Sequence, residues 1–295
     1  AENMVATASH CLFKTSGEQP AKLPDFWFAR NYDTLRDYAR IAGHNIGSAA
    51  QNVLAGTTRL SVAPPIDATS DWALIRLSRP VCNKGVLPVQ SMTVNEIVEA
   101  SAAKKIFQIA YHRDFTQWRA AYSKPCHVSR NFETADWKTI SADFSRPETL
   151  LLHTCDTGGA SSGSPLLLEA SDGPRVVAIN VGTYVQSKVV MSEGKVTQRL
   201  KPDTIANTGV AAAAFASRLA AFRAASILMT ASEIKELQSR LSQRGLYAGP
   251  IDGTYGPALK DAIELFEVQS RQAATGIASA AVLKLLREIP IAAKR

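Results

Sequence analysis

Apolar positions along the first two thirds of the chain come in short runs, each cut off by Gly, Pro, Asn or Asp. The clearest are ALIRL (73–77), IFQIAY (106–111), TLLLH (149–153), PLLLE (165–169) and RVVAINVGTYV (175–185). Runs of this length between turn-forming residues predict strands. Their irregular spacing, without alternating helical segments, predicts an all-β barrel or sandwich rather than βαβ units. From residue 209 the composition turns helical: GVAAAAFASRLAAFRAA is Ala-rich and predicts a helix over about 210–226. Further on, apolar residues recur at helical spacing: Ile234, Leu237 and Leu241, then Ala262, Ile263 and Phe266, then Val282, Leu283 and Leu286. That periodicity predicts three short helices around a Gly/Pro/Asp turn at 245–257, a small bundle. The chain therefore divides into a mainly β domain, residues 1–226, and a helical domain, residues 227–295.

The length, 295 residues, suits one large domain and one small one. With 46% hydrophobic and 20% charged residues the composition is that of a globular protein. The net charge of +7 suits an anionic neighbour such as a cell-wall polymer, although an excess of this size also serves solubility alone. Aromatic residues sit apart from the basic ones, so there is no nucleic-acid signature. The most apolar stretch, 209–229, is interrupted by Arg218 and Arg223 and reads as a soluble helix rather than a membrane span. No C-x-x-C pair occurs among Cys11, Cys82, Cys126 and Cys155, which argues against zinc, and no cofactor is implied. The first residues lack a basic n-region and a long apolar run, so any export signal is expected to be already removed.

Candidate chemistry lies in CDTGGASSGSPLL (155–167). Eight of its first ten residues are Gly, Ala, Ser or Thr, and apolar runs press on both sides. A linker needs no such flanks. A nucleophilic serine does, because its hydroxyl must be held exposed while neighbouring N–H groups converge on one point. That reading requires a distant histidine and an acid. MVATASHC (4–11) leads an apolar strand into His10. SDWALIRL (70–77) sets Asp71 at the head of another, with Asp67 as a nearby alternative. The order His10, Asp71, Ser162 is that of one of the convergent triads.

In these three stretches residues 1 to about 225 resemble the trypsin-like, chymotrypsin-fold serine proteases. ATASHC is similar to the family's TAAHC, SDWALIRL to its DIALL-type strand, and SSGSP to the GNSGSP of bacterial glutamyl-endopeptidase-like members. The resemblance implies two β-barrels with the site in their cleft and a closing C-terminal helix. It makes His10 the general base, Asp71 its orienter and Ser162 the nucleophile of an endopeptidase acting on polypeptides. The N–H groups of Ala160, where the family usually has Gly, and of Ser162 would form the oxyanion hole. Asp156, six residues before Ser162, would floor the primary pocket and favour Arg or Lys. Asn180 and Gly182 would form the opposite wall, Asn180 standing near the place where glutamate-selective relatives carry a histidine.

The family places strands ahead of the catalytic histidine that nine residues cannot supply. Those strands are expected to be missing from this chain or to be rebuilt from residues 15–55. Cys11 and Cys82 then lack evident partners. Cys126, in the expected strand 124–129, is expected to bridge to Cys155, unless all four thiols are free in a reducing compartment.

The tail resembles the type 1 peptidoglycan-binding domain through Leu237–Gln238, DGTYGP (252–257) and Thr275–Gly276, with Glu267 in place of the usual Gln. Residues 234–286 would then bind peptidoglycan, and the protein would be a secreted or periplasmic bacterial serine endopeptidase targeted to the wall. The alternatives are an inactive protease-like scaffold and a peptidoglycan-binding or adhesion protein.

Overall fold

A computed structural model describes residues 2–13, 22–30, 38–82, 85–132, 136–186, 189–192, 195–199 and 203–290. Two curled sheets and a helical module make up the chain. In the first sheet β1 (Met4–Thr7) pairs antiparallel with β5 (Ala73–Arg76), which pairs on its other edge with β4 (Val53–Ala55). A hairpin of β2 (Trp27–Ala29) and β3 (Tyr38–Arg40) continues this second edge. Ile41 bridges Leu77, and Ser78 N–H donates to Arg40 O at 2.8 Å. Residues 27–55 thus do supply strands to this sheet, while 15–21 and 31–37 of the same insert lie outside the described residues. Among the described residues β1 pairs with β5 alone.

The second sheet has β6 (Ile106–His112), β7 (Thr116–Ser123), β8 (Val128–Ser129), β9 (Leu150–His153), β10 (Pro165–Leu168), β11 (Arg175–Gln186) and β14 (Asp203–Ala211). Their order is β7-β6-β10-β11-β14-β9-β8, every pairing antiparallel. Its ends meet. After β7 the chain stays on β6, with Cys126 N–H donating to Ile106 O at 3.1 Å, and two residues later β8 pairs with β9. The segment 116–129 thus passes from β6 to β9 through a corner between β7 and β8 and closes a barrel. This corrects the expected strand over 124–129: only Val128–Ser129 is strand, because the chain turns the barrel corner at Cys126. Between β11 and β14 lies a hairpin of β12 (Val189–Ser192) and β13 (Lys195–Arg199).

The unbroken apolar runs follow from strands buried on both faces. On β5, Ala73 and Ile75 point into the core of the first sheet with Val53 and Ala55, while Leu74 faces the central core between the sheets. On β9, Leu150 and Leu152 face that central core, and Leu151 faces the barrel interior with Cys126, Val128 and Leu166. Successive side chains on a strand point to opposite faces, so two buried faces require a continuous apolar run.

Two helices were not expected. α1 (Val94–Ala102) has a complete capping box, in which Thr93 Oγ accepts from Glu96 N–H and the Glu96 carboxylate accepts from Thr93 N–H. α2 (Trp137–Ala142) is capped by Asp136. The expected helix over 210–226 is shorter, α3 (Ala216–Ala224). Residues 209–211 continue β14 instead, because the ladder to β11 outweighs the helix propensity of Ala.

The tail has the three expected helices, α4 (Ala231–Gln243), α5 (Pro257–Gln269) and α6 (Ala280–Glu288), around their own core of Ile234, Leu237, Leu241, Ile263, Phe266, Leu283 and Leu286. It is docked rather than tethered. Ala280 N–H donates to Ser226 O, Asn52 Nδ2 donates to Met229 Sδ, Arg218 lies 3.8 Å from Glu264, and Ile277 joins the central core. No helix among the described residues is long and apolar enough to cross a membrane.

Candidate active site

The end of β1 and the start of β5 lie side by side on the first sheet, which brings His10 to Asp71. A single 3-10 turn, Ser9–Cys11, follows β1 and lifts His10 over the sheet edge. Asp71 is 1% exposed, yet its carboxylate is well partnered: Ser9 Oγ donates to Oδ1 at 2.8 Å, and the backbone N–H of His10 donates to Oδ1 at 2.9 Å. The imidazole Nδ1 lies 2.6 Å from Oδ2. A carboxylate only accepts, so Nδ1 carries a proton and Nε2 of the neutral ring keeps its lone pair. The hydrogen bond to Asp71 holds the His10 pKa above the ordinary histidine value, against an opposing push from burial and with help from the Asp71 charge. Asp67 is engaged elsewhere, accepting from Ser61 N–H at 2.9 Å.

The serine loop opens at a disulfide between Cys126 and Cys155, the expected pairing. Cys11 and Cys82 are free thiols. The loop is wound by its own backbone: Ser161 N–H donates to Gly158 O, Gly163 N–H to Asn180 O at 2.8 Å, and Ser164 N–H to Ser161 O. The N–H groups of Ala160 and Ser162 have no acceptor among the described residues. Ala160 adopts φ +80, the left-handed conformation that glycine takes most easily. At Gly163, φ is +81 and a Cβ would overlap Thr7 Oγ1 and lie 3.0 Å from Ala8 N, so only glycine lets the loop press against the turn that carries His10. Cys11 Sγ lies 3.9 Å from Ser162 O across this contact. His10, Asp71 and the Ser162 loop therefore meet at the junction of the two sheets. Among the described residues no hydrogen bond joins Ser162 Oγ to His10.

Beside Ser162 is a cavity of about 350 Å³, lined by residues 157–162 with Asn180, Gly182 and Thr183. The two wall residues expected from β11 are there, and Asp156 is not. It is exposed, and its N–H donates to Ser123 Oγ at 2.9 Å, which ties the start of the loop to the end of β7. Asn180 is 2% exposed and braces the loop: Nδ2 donates to Ser161 O at 3.2 Å and to Ser161 Oγ at 3.1 Å. Its Oδ1 is 3.1 Å from Nε2 of His153, which is fully buried on β9. Burial lowers the His153 pKa to about 4, so this imidazole is neutral at ordinary pH. The sequence reading passed over His153. Its one signal was a histidine closing an otherwise wholly apolar run, a place where a polar side chain needs a buried partner.

In the tail Glu267 accepts from Thr275 N–H at 2.6 Å, Thr275 Oγ1 at 2.6 Å and Gly276 N–H at 2.9 Å, which explains how the Thr275–Gly276 turn is held with Glu in place of Gln. Gln238, fully buried, donates to Asp252 Oδ1 at 2.9 Å and to Thr254 O at 3.1 Å, and accepts from Gly253 N–H at 2.8 Å, so it pins the DGTYGP turn.

Residues 230–286 match the family model described as a putative peptidoglycan binding domain. Among solved structures, the chain is similar to a Glu endopeptidase in complex with MPD, at 16% identity and a TM-score of 0.47, over 76% of this chain and 82% of that one. It is also similar to the thermostable serine protease AL20 from an extremophilic microorganism, at 15% identity and a TM-score of 0.40, over 71% of this chain and 78% of that one. No curated protein sequence matches the chain.

Proposed function

We propose that the protein is a serine endopeptidase whose triad is Ser162, His10 and Asp71, carried on a wall-directed chain. One observation carries this reading: a buried, triply hydrogen-bonded Asp71 holds His10 Nδ1 at 2.6 Å, directly against a serine loop that leaves two N–H groups free. Ser162 Oγ attacks the scissile carbonyl and His10 Nε2 takes its proton. The carbonyl oxygen becomes an oxyanion that accepts from the N–H groups of Ala160 and Ser162. The intermediate collapses, His10 returns the proton to the leaving amine, and the acyl group stays on Ser162. Water then attacks the ester with His10 again as base, and Ser162 is regenerated. Asp71 stays ionised throughout and stabilises the imidazolium by its hydrogen bond and charge.

The matched tail supports binding to peptidoglycan, which would concentrate the enzyme at the wall and place it outside the cytoplasm. The Cys126–Cys155 bridge suits such an oxidising compartment. The test is Ser162→Ala: peptide hydrolysis disappears while the thermal transition stays within about 2 °C, since removing one partly exposed hydroxyl costs well under 1 kcal/mol. Retained hydrolysis removes Ser162 from the role. For the tail, the Ser162→Ala protein sediments with insoluble peptidoglycan, and a chain ending at residue 226 stays in the supernatant. Equal recovery of both would remove the tail from wall binding.

A further inference from the structure

Among the described residues the cavity beside Ser162 is built from neutral groups. Gly158 and Gly159 offer backbone only, Thr157 and Thr183 offer hydroxyls, and Asn180 closes the floor. The Asn180 carboxamide is already committed on both sides. Its Nδ2 donates twice to Ser161, and because that amide orientation turns Oδ1 toward His153, Oδ1 accepts from Nε2–H. No free donor remains on it for a carboxylate. His153 behind it is neutral and cannot supply a positive charge. Charged groups do lie near the loop, but on other sides. Asp114 packs against Gly158 and Arg113 against Gly159, and neither these nor Asp156 lines the cavity. A charged substrate side chain entering here would lose water without gaining a partner among the described residues, which is strongly unfavourable.

From this we infer that the pocket selects substrates with a short uncharged residue, such as Ala, Ser, Thr or Gln, on the acyl side of the scissile bond. The inference rests on the proposed role of Ser162. Asn180 acts as both floor and brace, and it cannot turn to meet a charged side chain without releasing Ser161 from the loop. Gly182 lines the cavity with backbone alone and adds no charge to it.

The test is a fluorogenic peptide library varied at that one position, run with the full chain and accompanied by labelling of Ser162 with a small fluorophosphonate read by intact mass. The expected result is labelling, together with kcat/KM for Arg, Lys, Asp and Glu at least about 10-fold below the best neutral residue. Asp156→Ser should leave the profile as it is. Labelling with a preference for Arg or Lys, or for Asp or Glu, overturns the neutral pocket and leaves the proposed nucleophile standing. Failure to label overturns both.

Discussion

Replacing Asp71 by Asn keeps the shape of the side chain and changes what it can do for His10. The native carboxylate takes three hydrogen bonds, from Ser9 Oγ and His10 N–H on one oxygen and from His10 Nδ1–H on the other. Asn has one acceptor oxygen. The two donors at Oδ1 claim it, and the amide NH2 then faces His10 Nδ1. Two donors cannot pair, so the imidazole moves its proton to Nε2 and accepts at Nδ1. Nε2 is then a donor and no longer a base toward Ser162. Loss of the correct tautomer in a triad costs about 10⁴ in kcat, equivalent to about 5.4 kcal/mol of barrier. A second change separates this from general damage. The hydrogen bond to Asp71 and the Asp71 charge both raise the His10 pKa, while burial lowers it. In the variant only burial remains. The neutral base is the active form, so the acid limb of the wild-type pH–kcat profile should lie above the ordinary histidine value and that of the variant below it. The assay is kcat on a single fluorogenic peptide between pH 5 and 9. A loss under about 10-fold, or an acid limb that does not move, would refute the tautomer argument.

Ala160→Gly relieves a left-handed conformation costing Ala about 1 kcal/mol but adds a similar amount of freedom to the unfolded chain, so stability should change by under about 1 kcal/mol and kcat by only a few-fold. Ala160→Val should distort the same N–H and lower kcat by about 10²–10³, and equal activity of the two variants would remove this N–H from the reaction. Replacing Cys126 and Cys155 together by Ser opens a loop with a sequence separation of 29 and should cost about 3–4 kcal/mol in chemical denaturation; no change would mean the bridge is absent in solution. Gln238→Leu strands the Gly253 N–H and the partners at Asp252 and Thr254, and should lower the stability of the helical module by about 2–4 kcal/mol, read by hydrogen exchange over α4–α6.

The residues of the proposed triad stood out in the sequence because each sits beside a strand, where local composition changes abruptly. Small residues before His10, a charged residue heading an apolar run at Asp71, and a Gly/Ser-rich turn at Ser162 are all short-range signals. The helical tail was equally legible, since a 3.6-residue apolar period survives without knowledge of partners. Residues whose role depends on long-range pairing were not legible. Asp156 has the expected spacing from Ser162, but the start of the loop is tied to Ser123 on β7, a partner 33 residues away. His153, on β9, matters through Asn180 on β11, two strands that are brought together only by β14 lying between them. The Ala-rich stretch at 209–211 favours helix locally and becomes strand because β11 offers it a ladder. In the insert, residues 38–42 and 53–55 are too short to announce themselves as strands and exist because β5 presents an open edge.

The most direct test of the account is a crystal structure of the full chain after reaction with a fluorophosphonate. The account predicts a phosphonyl group on Ser162 Oγ, one phosphonyl oxygen within about 3 Å of the N–H groups of Ala160 and Ser162, and His10 Nε2 turned toward Ser162 Oγ with Nδ1 still on Asp71. A protein that stays unmodified, a label on another residue, or a phosphonyl oxygen directed away from both N–H groups would contradict it.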